Sequence, residues 1–185
     1  KAAVGLRRTE PGMEDMGNRI ADEGLWGTRG MMRGQAERKI PQIEARINPQ
    51  VMSVRGATNP ADSVNAILEN AKPYIHTNPN IAIKVDNQPF VDATMSRAME
   101  SAARPPMNAV DALEEARSID AAAYNKDVPM EKFKRQLGKS DSSTLRSSVK
   151  SMADAQGLPE VREGLASEQA LINAGNATAA ADAGG

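Results

Sequence analysis

Apolar positions recur along most of this chain at the three- and four-residue spacing of an α-helix, and Pro- and Gly-bearing turns separate the segments so marked. Residues 12–25 carry Met13, Met16, Ile20 and Leu25, a short amphipathic stretch weakened by Gly17 and Gly24. Trp26 and Gly27 break the pattern. Thr28 is placed to cap a helix whose face is Met32, Ala36, Ile40, Ile43 and Ile47. Pro41 lies inside that pattern and predicts a kink or a split, while Asn48 and Pro49 predict its end. Asn59 followed by Pro60 is a strong start signal for a third helix, with Val64, Ile67, Leu68, Ala71 and Ile75 on one side and Pro73 limiting its length.

The second half repeats the theme. Residues 87–103 offer Phe90, Val91, Thr94, Met95, Ala98 and Ala102 before Arg104, Pro105 and Pro106 stop the helix. Residues 107–124 carry Val110, Leu113, Ala116 or Arg117, Ile119 and Ala123, with Glu114 and Glu115 towards the outer side. After a polar turn at 125–128, Pro129 starts a short basic helix over 130–137 that Gly138 caps. Ser140 and Asp141 open the next helix, with Leu145, Val149 and Met152 spaced towards Gly157. Pro159 leads into the last, with Val161, Leu165 and Leu171 or Ile172 and Gly175 as its C-cap. Ile81, Ile83 and Val85 alternate, as a short strand or an extended connector would. The pattern predicts an all-α fold of about seven helices joined by Pro/Gly turns, with at most one short extended segment near 81–85. It divides into an N-terminal helical part (1–75), a connector (76–89), a C-terminal helical part (90–174) and a flexible tail (175–185). No repeat of fixed period and no sustained heptad appears.

Composition changes the picture of the core. The 185 residues include 30 Ala and 10 Met, against 10 Val, 10 Ile, 9 Leu and 2 Phe. Ala lets helix axes approach and Met fills gaps, but such helices bury little apolar area at about 25 cal/mol per Å². The expectation is a marginal core that gains stability from neighbouring copies or a larger host chain. Residue 1 is Lys, so the chain reads as processed or as a segment of something longer. Neither a charged-then-apolar leader nor a run of ~18 apolar residues is visible.

Charge and chemistry narrow the function classes. Lys plus Arg is 23 and Asp plus Glu is 24, a balance that argues against a nucleic-acid module built on bulk positive charge. With no Cys there is no disulfide, thiolate metal site or cysteine nucleophile. With His76 as the one His, a two-His site within the chain is excluded. Gly138, Lys139 and Ser140 imitate the end of a P-loop, but Phe133 stands where its first Gly belongs. Gly27, Thr28, Arg29 and Gly30 imitate a nucleotide-clamping GXXG loop without the strands that accompany it. Glu14 with Asp15, Asp22 with Glu23 and Glu114 with Glu115 are adjacent carboxylates, which diverge on a helix and make poor acid/base pairs. No catalytic, cofactor-binding or metal-binding set is assembled, and the reading is non-enzymatic. Candidate contacts to a partner or to DNA are Trp26 as an anchor, Arg29 and Arg33 in the mildly basic stretch after it, and Lys132, Lys134 and Arg135 around Phe133.

The run GLWGTRGMM at 24–32, continued by Gln35, Ala36, Glu37, Arg38, Lys39, Ile40, Glu44 and Ala45, is a Gly-rich turn leading into a Gln- and Glu-bearing helix with an Ile face. With the Ala- and Met-rich helices, the missing Cys and the small-residue tail, it resembles the internal or tail-associated virion proteins of tailed bacteriophages. The resemblance implies a structural component located in the virion, after assembly in the host cytoplasm, as a homo-oligomer beside portal or tail proteins. It also implies an ejection protein that forms part of a genome-delivery conduit. It carries over no functional residue. The alternative is a helical nucleic-acid-binding or scaffolding module.

Overall fold

A computed structural model describes residues 21–25, 27–75, 88–122 and 129–182, and among these every regular element is a helix. In chain order they are α1 (Arg29–Val51), α2 (Pro60–Ile75), α3 (Gln88–Ala102), α4 (Ala109–Ala122), α5 (Pro129–Ala155) and α6 (Pro159–Asp182). Ala21 and Asp22 are the described end of a further helix, closed by Gly24 at φ 67°. The rest of the helix predicted at 12–25, His76, the extended segment at 81–85 and the turn at 125–128 lie outside the described residues.

The helix starts follow their capping residues. The Thr28 carbonyl accepts the first bond of α1, from the Met32 N–H at 2.9 Å. Asn59 caps α2 through its Oδ1, which accepts from the Ala61 N–H at 3.2 Å, and Pro60 takes the first helical position. Asn108 caps α4 in the same manner: its Oδ1 accepts from the Asp111 N–H at 2.9 Å, and its Nδ2 donates back to Asp111 at 2.8 Å. Gly157 (φ 67°) ends α5 in a Schellman turn, with Leu158 N–H to Ala153 C=O at 3.0 Å and Gly157 N–H to Asp154 C=O at 3.1 Å.

Four positions expected to divide or end a helix lie inside one. α1 continues through Pro41 and past Pro49 to Val51. The carbonyls that each Pro leaves unbonded belong to Glu37 and Ala45, both exposed residues, where solvent is at hand to replace the missing N–H. Gly138 caps nothing: the helices expected at 130–137 and 140–157 are one helix, α5, about 40 Å long at 1.5 Å per residue. Its flanks are held by tertiary contacts at Leu137, Asp141 and Leu145, which override the weak propensity of a single Gly. Gly175 does not end α6, which runs on through the Ala-rich residues to Asp182, so most of the expected tail is helical.

Contacts divide the chain at residues 50/51 and 159/160. One unit is Val51–Pro159. In it α2, α3 and α4 pack on α5, and α2 also packs on α3. Its core joins Ile67 and Ala71 of α2, Ala98 of α3, and Phe133 and Leu137 of α5. Ala116 and Ile119 of α4 meet Leu145 of α5 farther along. The other unit is Lys1–Gln50 with Glu160–Gly185. There Ala36, Ile43 and Ile47 of α1 and Val161, Leu165 and Leu171 of α6 are buried, and Gly164 meets Ile47. No described helix is long and apolar enough to cross a membrane.

Candidate functional site

The Val51–Pro159 unit is organised around a buried carboxylate. Asp141 of α5 has no exposed surface. Arg104, just past the end of α3, grips it with two parallel bonds, Nη1 to Oδ1 at 2.8 Å and Nη2 to Oδ2 at 2.7 Å. Arg97 Nη2 stands 2.7 Å from Oδ2, Ser101 donates to the same oxygen at 3.0 Å, and Ser63 of α2 adds a further hydrogen bond. Burial alone would push the Asp141 carboxyl up. The hydrogen bonds and charge of Arg104, the charge of Arg97 and the Ser63 bond outweigh it and hold the group below the ordinary carboxylate value. Burial likewise opposes the charge on Arg104, yet Asp141, Glu115 and Glu100 keep that guanidinium above its usual value. A second tie joins α4 to α5, where Arg146, 1% exposed, pairs with Asp120 and Ser142 donates to Asp120 at 2.7 Å.

Beside this network a groove of about 530 Å³ opens between α3 and α4, over the first half of α5. α3 lines it with Ala93, Ser96, Arg97 and Glu100, one face at spacings of three and four. α4 lines it with Glu115, Ser118, Ile119 and Ala122, spaced in the same way. α5 adds Lys134, Arg135, Leu137 and Gly138. α3 and α5 run in the same direction: Phe90 meets Phe133 edge to face, with ring centroids 5.0 Å apart, and Ser101 meets Asp141. Lys134 and Arg135 therefore stand at the level where α3 begins. At the other end, Glu100 pairs with Arg97 at 3.1 Å and Glu115 with Arg104 at 3.3 Å. The groove is basic where α3 begins and carries two Glu–Arg ion pairs where α3 ends.

The expected contact residues are brought together only in part. Lys134 and Arg135 enter the groove, while Lys132 is exposed on the outer side of α5. Arg33 is exposed on α1 and pairs with Glu37 at 2.8 Å, Arg29 is the first residue of α1, and Trp26 lies outside the described residues. Arg97, Glu100, Arg104 and Asp141 are not among the contact residues that the sequence pattern singles out. The pairing of Arg97 with Asp141 spans 44 positions and leaves no local mark in the sequence. Glu115 was placed on the outer side of α4. It turns inward to Arg104, while its neighbour Glu114 stays exposed.

Gly138, Lys139 and Ser140 lie in the middle of a continuous helix, which has no loop of free N–H groups to wrap a phosphate. Among the described residues no three His, Cys, Asp or Glu stand together as a metal set. The groove offers ionic contacts at its two ends and van der Waals contacts between them. No family model matches the chain, and no curated protein or solved structure matches it.

Proposed function

We propose that this chain is a non-enzymatic, self-associating structural component of a tailed-phage virion, of the kind ejected with the genome to form part of a delivery conduit. The observation that carries self-association is a pair of outward apolar side chains. Met95 and Met99 on α3 are 50% and 66% exposed and one helical turn apart. The charges buried in the same unit are matched internally, with Asp141 and Asp120 tying helices together. The virion setting is supported by the resemblance of residues 24–45.

Mass spectrometry of purified particles before and after triggered genome release tests this reading. Presence before release and loss afterwards is the expected result. Retention in the emptied particle makes the protein a fixed part of the portal or tail, and absence from particles overturns the virion reading. Self-association separately predicts a Tm that rises with protein concentration.

One observation favours nucleic-acid binding as a second reading. Lys132, Arg135 and Lys139 follow one another at spacings of three and four along α5, with Lys132 and Lys139 exposed. This reading predicts DNA binding that weakens steeply with salt, and equal weakening on every sequence when Lys132, Lys134 and Arg135 are changed to Gln. Unchanged binding in that variant removes the basic cluster from consideration.

A further inference from the structure

We propose that copies of this chain join head to tail, with Met95 and Met99 of one copy seated in the α3–α4–α5 groove of the next. The proposal rests on the self-association put forward above and names its contact. α3 carries three distinct faces. Thr94, Ala98 and Ser101 are buried against the rest of the unit, Ala93, Ser96, Arg97 and Glu100 line the groove, and Met95 and Met99 face outward on a third side. A surface that uses the methionine face and the groove pairs two different patches. Such a contact is heterologous and repeats from copy to copy, closing into a ring or extending as a tube.

The two patches fit chemically. Between its charged ends the groove is floored by Ile119, Leu137 and the bare backbone of Gly138. Met is unbranched and polarizable, and it fills irregular apolar slots of this kind. Charge sets the direction. Asp92, exposed and held by Gln88 Nε2 at 2.7 Å, precedes Met95 by three residues and lies on the same outer side of α3. An incoming α3 laid parallel to the resident one brings Asp92 to the basic end, at Lys134 and Arg135. Neighbouring copies then keep the same orientation, as repetition around a ring requires. A single copy thus carries both halves of the contact, and this selects a second copy as the occupant.

The test uses two variants of the full chain, each altered at exposed positions. One is Met95→Glu with Met99→Glu, and the other is Ser118→Trp, which fills the groove. Circular dichroism checks that both remain helical. In sedimentation velocity the unaltered chain is expected to grow in mass with concentration, while each variant alone stays monomeric. Mixed in equal amounts, the variants are expected to form a species of two chains and nothing larger, because one intact knob and one intact groove remain. The native chain has no Cys, so a Met95→Cys, Ser118→Cys double variant adds a second readout, a ladder of disulfide-linked oligomers on oxidation.

If the unaltered chain assembles but the mixture yields no pair, or either variant still assembles alone, the contact is overturned and self-association stands. Efficient cross-linking of Met95→Cys alone into dimers indicates a two-fold contact between methionine faces and also overturns it. An unaltered chain that stays monomeric at every concentration, with no ladder, ends both the contact and the self-association reading.

Discussion

Where α2, α3 and α5 meet, the junction is a charge: Asp141 sits fully buried among Arg104, Arg97, Ser101 and Ser63. Where α1 meets α6, the junction is an absence of side chain. A Cβ placed on Gly164 would lie 2.1 Å from Cγ2 of Ile47, so the two helices meet at a distance that a methyl group would prevent. Both arrangements answer the same shortage, since a chain with many Ala and few Leu or Phe buries limited apolar area per helix. One unit adds directional bonds between matched ions, and the other lets helix surfaces come close enough for dispersion to act at short range. The two are therefore vulnerable to opposite changes, removal of a charge in one and addition of a carbon in the other.

The largest effect is expected from Asp141→Asn. It leaves Arg104 and Arg97 facing a neutral amide in a buried site, and breaking a buried ion pair from one side costs about 3–5 kcal/mol. Urea unfolding gives the size, and hydrogen exchange gives the place: protection is expected to fall in α2, α3 and α5 and to hold in α1 and α6. The pH dependence has a definite sign. Because the folded-state carboxyl lies below its ordinary value, its contribution is fully present above the unfolded-state pKa of about 3.9 and is lost as pH falls through the folded value. The decline of stability below about pH 4 should be shallower in Asp141→Asn than in the unaltered chain. Equal slopes would mean that Asp141 titrates alike in the folded and unfolded states.

Next in size is Gly164→Ala. Overpacking costs about 1–3 kcal/mol, and the gain of up to about 1 kcal/mol from replacing a helical Gly offsets only part of it. Protection should fall in α1 and α6 and hold in α3 and α5. A double-mutant cycle sharpens the attribution: in an Ile47→Ala background the obstructing Cγ2 is gone, and the added methyl should become harmless or stabilising. Additivity of the two changes would place the strain somewhere other than Ile47.

Much of the fold was legible because its marks are local. Asn59 with Pro60, the stop at Pro105 and Pro106, and the turn at Gly157 each act on neighbouring backbone, and each appears where the pattern puts it. Pro41, Gly138 and Gly175 carry equally local marks, yet the helices run through them. In the first case the freed carbonyl belongs to an exposed residue, in the second tertiary contacts hold both sides, and in the third Ala-rich residues follow. The groove was half legible. Lys134 and Arg135 stood out as a basic pair, but their acidic counterparts Glu100 and Glu115 come from two other helices. Asp141 reads locally as the start of a helix, although it is the middle of one and the hub of the unit, because its partners Arg97 and Arg104 lie 44 and 37 positions away.

The smallest expected effect puts the two units on one scale through a single substitution. Gly138 looked like a helix cap, and a cap of that kind needs positive φ, where Ala is strained. In α5 it has no positive φ, and a Cβ there would find Ile119 Cγ2 at 3.5 Å, an ordinary van der Waals contact. Gly138→Ala should therefore raise stability by about 0.5–1 kcal/mol, the usual gain for Gly to Ala within a helix. The change adds the same methyl group that is harmful at Gly164, with opposite sign. Unfolding midpoints of the two variants, compared under identical conditions, decide the matter. A loss of stability at Gly138 as large as that at Gly164 would mean that α4 and α5 also depend on close backbone approach, and the contrast between the two units would reduce to the charge on Asp141.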